Sequence, residues 1–405
     1  AVDFDDILLR ALSLLDADKN PDLREGYAQR CLHLLVDEYQ DTNRPQYLLI
    51  RALTSLHRNV CVVGDEDQSI YKFRGAEIRN ILDFERDHPG ARVVKLEQNY
   101  RSTATILDAA GAVIAHNTER KGKTLWTENA RGARIDLFHA PDDRAEASWV
   151  ARRVLEEVRE RPHEDLAVLY RTNAQSRAIE DALMREGLPY RIIGGLRFYE
   201  RKEIKDTLAY LRLLINPHDD VSFRRVVNVP ARGVGKSVLD ALEAVDTSQA
   251  DESTPLLNAG LQPVQNRRSL WARLVACVDR RLATPRAVSA LATFRDVVAS
   301  TAAQSAASPV STTIGLVLDR SGYLGSLRDE QSEEALARIE NLMELVSAAR
   351  EYEAREPEAT LGGFVDKLSL LSEADEAEGT KEARVWLMSM HAAKGLEFPT
   401  VVVAG

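Results

Sequence analysis

Short apolar runs recur along this chain between segments of helical periodicity, and this alternation restricts the fold more than any other feature. The runs include Leu34-Leu35-Val36, Val60-Cys61-Val62-Val63, Val93-Val94-Lys95-Leu96, Leu166-Ala167-Val168-Leu169-Tyr170 and Val385-Trp386-Leu387-Met388. Between them lie segments such as Ala174 to Glu186, where Ile179, Leu183 and Met184 repeat at helical spacing. Such alternation predicts an α/β fold, a parallel sheet covered by helices. From about Leu196 the pattern changes. Ile204, Leu208, Leu211 and Ile215 fall on one helical face, as do Leu336, Ile339, Met343 and Val346, and strand-like runs are scarce until Val385. A mostly helical block, about 196–382, is therefore expected as an insert in an α/β domain that resumes after it. Two stretches within the block, Gln249–Gln265 and Ala299–Pro309, are rich in Ser, Ala, Gln and Thr and read as loops.

The composition narrows the class. The chain has 405 residues, 44% hydrophobic and 29% charged, which excludes disordered, collagen-like and disulfide-scaffold proteins. That length accommodates roughly two to three domains. No apolar run approaches the ~20 residues of a membrane helix, so no membrane partner is expected. Cys31, Cys61 and Cys277 are widely spaced and odd in number, which fits a reducing, cytoplasmic setting better than a disulfide frame or metal site. The net charge of −10 argues at first against nucleic acid. However, the stretch from Arg328 to Glu382 holds six basic and sixteen acidic residues and accounts for all of it. Arg267 to Arg295, by contrast, holds seven arginines and one acid, Asp279. The chain begins at Ala1, inside Val2-Asp3-Phe4-Asp5-Asp6-Ile7, and ends on the apolar run Thr400 to Gly405. It reads as an internal fragment of a longer protein.

Four segments carry chemistry. In His33-Leu34-Leu35-Val36-Asp37-Glu38-Tyr39-Gln40-Asp41, a strand delivers two carboxylates at its C-terminal tip, where parallel sheets bind ligands. In a nucleotide hydrolase the first acid holds Mg²⁺, usually through water, and the second polarises the attacking water. Alone, the pattern reads equally as a strand ending in a solvated acidic turn. The run Val63-Gly64-Asp65-Glu66-Asp67-Gln68-Ser69-Ile70-Tyr71-Lys72-Phe73-Arg74 also starts at a strand tip. Gln68 is placed to sense a terminal phosphate. Tyr71 and Phe73 suit stacking on bases with Arg74 on a phosphate, or, alternating at strand period, one of them is core. In Gln98-Asn99-Tyr100-Arg101-Ser102, Tyr100 offers a ring and Arg101 a permanently charged fork. In Met390-His391-Ala392-Ala393-Lys394-Gly395-Leu396-Glu397, His391, Lys394 and Glu397 share roughly one face if the run is helical.

One further run, Pro230-Ala231-Arg232-Gly233-Val234-Gly235-Lys236-Ser237, mimics a phosphate-binding loop. Such a loop needs Gly where Pro230 stands. Pro230 has no N–H and a fixed φ, so the P-loop reading fails. A Gly-Val-Gly turn between helices fits better. Either it is a plain turn, or its amides with Arg232 and Lys236 hold a duplex phosphate.

Taken together, the Asp-Glu-Tyr-Gln-Asp-Thr-Asn run at 37–43, Gly-Asp-x-Asp-Gln-Ser-Ile-Tyr at 64–71, Gln-Asn-Tyr-Arg-Ser at 98–102 and His-Ala-Ala-Lys-Gly-Leu-Glu-Phe at 391–398 resemble the superfamily 1 DNA helicases of the UvrD/PcrA/Rep type. The resemblance covers nearly the whole chain. It implies RecA-like motor domains: 1–96 the second half of the first, 97–195 plus 383–405 most of the second, and 196–382 a helical accessory insert. It implies ATP and Mg²⁺, with Asp37 on the metal, Glu38 activating water, and Gln68 at the γ-phosphate. It places Tyr100 on adenine, Arg101 at the γ-phosphate as an arginine finger, and Glu397 on the ribose. Phe4, Tyr71 and Phe73 would face single-stranded DNA bases, with Arg74, His391 and Lys394 nearby. Arg232, Gly233, Gly235 and Lys236 would meet duplex DNA at a single-strand/duplex junction. Family members often carry Trp where this chain has Phe73, which offers less area for stacking. The implied parent is a 3′→5′ helicase of repair or replication, with proteins of those pathways as partners. The chain itself contains neither a true phosphate-binding loop nor the family's final arginine motif, so this fragment alone is expected not to unwind DNA. The competing reading is an inert DNA-binding or protein-interaction module derived from such a motor.

Overall fold

The computed structural model describes residues 4–118, 120–161, 165–245, 269–368 and 384–405. The chain divides into two compact units, 1–138 and 139–405.

In the first unit, β1 (Leu34–Val36) and β2 (Val60–Val62) pair in parallel, with Leu34 opposite Val60 and Val36 opposite Val62. Parallel neighbours require a crossover, and the Arg44–Leu53 helix supplies it. That helix starts on a capping box in which Asn43 and Gln46 satisfy each other's backbone amides, with a proline in the first turn. Tyr39, Tyr47 and Ile50 form a small core against Leu34, Val36, Val60, Val62 and Phe84. Among the described residues, one face of the strand pair is packed. Leu35, on the other face, is 77% exposed.

The second unit contains a four-stranded parallel sheet in the order β4 (Tyr190–Ile193), β5 (Val385–Ser389), β3 (Leu166–Tyr170), β6 (Thr400–Val403). The Asp143–Glu160 and Ser176–Arg185 helices contribute Ala147, Val150, Val154, Ile179 and Leu183 to its core. Between β4 and β5 the described chain is helical, with a separate core built from residues such as Phe198, Leu211, Phe223, Phe294, Leu342 and Phe364. The α/β alternation follows the sequence pattern.

Two expectations are corrected here. Val93–Leu96 is not a strand: no neighbouring strand among the described residues pairs with it, and Val93, Val94 and Leu96 are at least half exposed. Ala299–Pro309 is mostly not a loop, because the Pro285–Ser305 helix runs through Ala299–Ser305, anchored by buried Val298 and Thr301. Alanine is the best helix former, and tertiary burial outweighs the small polar residues around it. The stretch Gln249–Gln265 lies outside the described residues.

Candidate functional site

The site in the first unit is built on the C-terminal tips of β1 and β2. Asp37 and Glu38 leave β1 exposed, and the Asp37 carboxylate accepts the Glu38 amide at 2.9 Å. Glu38 sits at φ 50°, ψ 42°, in the left-handed region that a β-carbon disfavours. A neighbour fixes its side chain: the fully buried Gln40 donates its amide nitrogen to the Glu38 carboxylate at 2.6 Å. The Gln40 carbonyl oxygen accepts the Asp65 backbone amide at 2.9 Å. Because a backbone N–H only donates, the Gln40 oxygen must face Asp65 and its NH₂ must face Glu38.

The relay continues. Gln68 donates to the Asp65 carboxylate at 2.8 Å, and Lys123 forms an ion pair with it. Burial would raise the Asp65 pKa, but the bonds from Lys123 and Gln68 and the lysine's charge outweigh it and hold the carboxyl below its ordinary range. Arg120 pairs with Asp67 at 2.7 Å. Glu38, Gln40, Asp65 and Gln68 thus form one hydrogen-bonded chain across both strand tips. Gly64 makes the approach possible. A β-carbon there would lie 2.6 Å from the Gln40 side-chain oxygen, 2.8 Å from Ile81 and 3.2 Å from the Tyr39 amide.

The aromatic segment is tied to the same structure. Ser69 donates to the Gln40 carbonyl at 3.3 Å, Asn43 and Ala76 form a bridge, and Asn80 donates to the Thr42 carbonyl at 2.9 Å. Tyr71 and Phe73 do not lie on a strand. Tyr71 precedes a single 3₁₀ turn, Lys72–Arg74, that ends at Gly75 with φ 82°. The strand-period argument for burying one of them fails, and Phe73 is 46% exposed. Arg74 lies over both rings, 5.3 Å from Tyr71 and 5.5 Å from Phe73.

Tyr100 is 77% exposed and donates its hydroxyl to Gln98 at 2.9 Å. The Asn99 side chain accepts the Arg101 and Ser102 amides at 3.0 and 2.7 Å, fixing the turn that presents Tyr100 and Arg101. Phe4 opens the first helix, and its side chain lies outside the described residues.

In the second unit the expected face of His391, Lys394 and Glu397 is not helical. Residues 390–395 form turns, with Gly395 at φ 83°, so the three do not share a helix face. The run leaves the tip of β5, and His391 Nδ1 lies 3.2 Å from Arg171 at the tip of β3. At the Gly-Val-Gly turn, Gly233 adopts φ 80°, Val234 is buried, and Gly235 precedes the Lys236–Glu243 helix, with Lys236 exposed. Arg232 is corrected as a duplex contact. Its guanidinium turns inward to the carbonyls of Val229 at 2.9 Å, Pro230 at 3.2 Å and Ser321 at 2.7 Å, and packs on Tyr210 and Phe294.

Sequence reasoning missed Gln40, Asp65, Lys123 and Arg171. A glycine directly after the second strand run was the one available signal for the close Gln40 contact. Among the described residues no group of three or more His, Cys, Asp or Glu side chains could form a metal cage. Mg²⁺ needs none, since it is usually bound by one or two carboxylates plus waters and phosphates, and the hard oxygens of Asp37 and Glu38 fit that chemistry. No helix among the described residues is long and apolar enough to cross a membrane.

Residues 1–89 match the family model of the UvrD/REP helicase N-terminal domain, and residues 94–405 that of the UvrD-like helicase C-terminal domain. The chain is 42% identical over 413 residues to the ATP-dependent DNA helicase PcrA of Bacillus subtilis, covering 100% of this chain and 53% of that protein. It is 41% identical over 408 residues to the PcrA proteins of Staphylococcus epidermidis and Staphylococcus aureus, again covering 53% of each. The chain therefore spans about half the length of the curated relatives it matches.

Proposed function

Because the chain belongs to the UvrD/PcrA-type superfamily 1 helicase family, we propose that it is the ATP- and DNA-handling part of an ATP-dependent helicase that moves 3′→5′ on single-stranded DNA. The observation that carries this reading is the buried Gln40 bridge, which orients the Glu38 carboxylate and links it through Asp65 to Gln68. When bound, ATP supplies the phosphoryl group transferred to water, and Mg²⁺ offsets its charge. Asp37 would hold the metal, and Glu38 would orient and deprotonate the water. Gln68 senses the terminal phosphate and shares Asp65 with the Glu38 relay, so a change at the phosphate reaches the segment carrying Tyr71, Phe73 and Arg74. Those three grip single-stranded DNA by stacking and charge. Tyr100 stacks on adenine, and Arg101 stabilises the γ-phosphate.

The assignments of Glu397 to ribose and of Phe4, His391 and Lys394 to single-stranded DNA rest on their motifs alone. Gly233, Gly235 and Lys236 are the proposed duplex contacts, with Arg232 removed. The proposed motor organisation remains 1–96, 97–195 plus 383–405, and an accessory block at 196–382, serving repair or replication.

The test is Glu38→Gln in the full-length protein. ATP turnover should fall by at least ~100-fold, the usual contribution of a general base, while nucleotide binding stays largely intact. Normal turnover in that variant refutes the reading. Purified 1–405, which contains no Gly-x-x-x-x-Gly-Lys-Ser/Thr loop, should show no DNA-stimulated ATP hydrolysis.

A further inference from the structure

Within the second unit the α/β core and the helical core are separate apolar clusters. The contact between them includes a cavity of about 310 Å³. Its wall on the α/β side is formed by the Ser176–Arg185 helix and Arg144, and its opposite wall by the Glu333–Arg355 helix and helical residues 361–368.

Two features of the lining stand out. The first is charge. In a chain of net charge −10, the lining holds five cations, Arg144, Arg177, Arg185, Arg355 and Lys367, against two carboxylates, Asp181 and Glu351. Both carboxylates are engaged by Arg177, at 3.1 Å and 2.6 Å. Arg355 reaches Glu351 only at 3.5 Å. Among the described residues, Arg144, Arg185 and Lys367 have no carboxylate within ion-pair distance. They come from both sides of the cavity and are exposed, and Arg185 donates to the Asp181 carbonyl at 3.1 Å.

The second feature is the aromatic wall. Tyr352 packs on Phe364 with ring centroids 5.4 Å apart, and Lys367 lies 5.4 Å from the centre of the Tyr352 ring. Gly363 permits this, because a β-carbon there would lie 2.5 Å from the Tyr352 hydroxyl. Tyr199, Met184 and Leu368 complete the apolar surface.

A cavity of this size with ring-lined walls and an excess of cations suits a ligand with a flat apolar body and a negative group. We propose that the cavity binds a small aromatic anion whose ring lies against Tyr352 and Phe364 and whose charge meets Arg185 and Lys367. Such a ligand touches both cores and so favours the arrangement in which they meet. This site is separate from the strand tips of the first unit and does not depend on the catalytic reading.

The experiment uses 1-naphthyl phosphate as the probe, titrated into the full chain by calorimetry, with inorganic phosphate and 2-naphthol as partial probes. Saturable binding at one site is expected, with both partial probes at least about tenfold weaker, since each lacks a charged hydrogen bond or the ring contacts. Arg185→Glu with Lys367→Glu should weaken the probe by well over tenfold. Ala178 also lines the cavity, and Ala178→Trp should weaken the probe by filling it. If the tryptophan variant does not fold, the charge-reversal pair decides, because both positions lie at the cavity rim rather than in either core. Absence of saturable binding, an affinity unchanged in the charge-reversal pair, or phosphate alone matching the full probe overturns the proposal.

Discussion

Replacing Gln40 with Ala removes a side chain that connects the two strand tips, and the structure sets the size of the effect. Two hydrogen bonds are lost. The bond to the Glu38 carboxylate is short, 2.6 Å, and charge-assisted, a class worth about 1.5–3 kcal/mol. The bond from the Asp65 amide is an ordinary neutral one at 2.9 Å, worth about 1 kcal/mol. Glu38 is exposed, so water replaces most of what its carboxylate loses. The Asp65 amide sits deeper and recovers less. A net local loss of about 2 kcal/mol follows, equal to a roughly 30-fold larger opening equilibrium constant. Hydrogen–deuterium exchange of peptides spanning 33–41 and 60–68 measures it directly.

Gln40→Glu separates hydrogen bonding from shape. It keeps the volume but places a second carboxyl against Glu38, where the buried pair must either repel or take up a proton at a cost. It should therefore exceed the alanine variant in exchange rate, and in the full-length protein it should reduce ATP turnover further. Exchange within a factor of two of wild type in both variants would refute the relay. So would Gln40→Glu behaving like wild type, because the orientation of the Gln40 amide would then carry no energy.

The other predictions are these. Phe73→Ala in the full-length protein should weaken single-stranded DNA binding by about 1–3 kcal/mol, measured by fluorescence anisotropy; unchanged affinity would remove Phe73 from the DNA site. Arg177→Met removes the cation that Asp181, Glu344 and Glu351 share, leaving Arg355 near Glu351. It should destabilise the second unit by about 3 kcal/mol, the low end for a broken buried pair because the three carboxylates are partly hydrated, as read by urea denaturation. Glu180 is buried, and burial pushes its carboxyl up to about 7 from an ordinary 4.5. An acid raised on folding contributes stability that is present at low pH and lost as pH climbs from about 4.5 through 7. Glu180→Gln should therefore flatten the fall in urea midpoint across that range; an equally steep fall in the variant would exclude Glu180 as its source.

The elements that sequence made legible share one property: a local cause. Leu166–Tyr170 and Val385–Ser389 became adjacent strands because their runs are apolar enough to be covered on both faces. Asp37 and Glu38 stand at a strand tip because the apolar run ends just before them, and Gln68 follows the second tip in the Glu66–Gln68 turn. The misreadings share the opposite property. Val93–Leu96 has a strand's composition, but a strand also needs a partner, which composition does not encode. The helical face proposed for His391, Lys394 and Glu397 assumed continuous helix, whereas Gly395 bends the run into turns. Gln40 reads as one polar residue among several, and its burial follows from Gly64, on the neighbouring strand tip. Arg232 looked like an exposed phosphate ligand because nothing near it in sequence announces Ser321 as its acceptor.

Arg177 shows how far that limit reaches. On its own helix it is a charged residue beside an apolar stripe, yet it is only 2% exposed. Its partners Glu344 and Glu351 lie 167 and 174 residues away. Both belong to the stretch from Arg328 to Glu382 that carries the whole net charge of the chain. That acidic stretch is therefore not simply a solvated face, since two of its carboxylates neutralise a cation buried between the cores. Arg201 repeats the arrangement nearby, donating to Asn341 at 2.7 Å and Ser176 at 2.8 Å while Asn341 donates to Glu203 at 2.6 Å. Buried ion pairs add little net stability compared with apolar packing, but they are costly to mismatch and bond only in defined directions. Apolar surface would have held the cores together in many orientations, whereas these polar contacts admit few. The junction between the α/β core and the helical block is thus specified mainly by geometry, and the acidity of the chain is in part the means of specifying it.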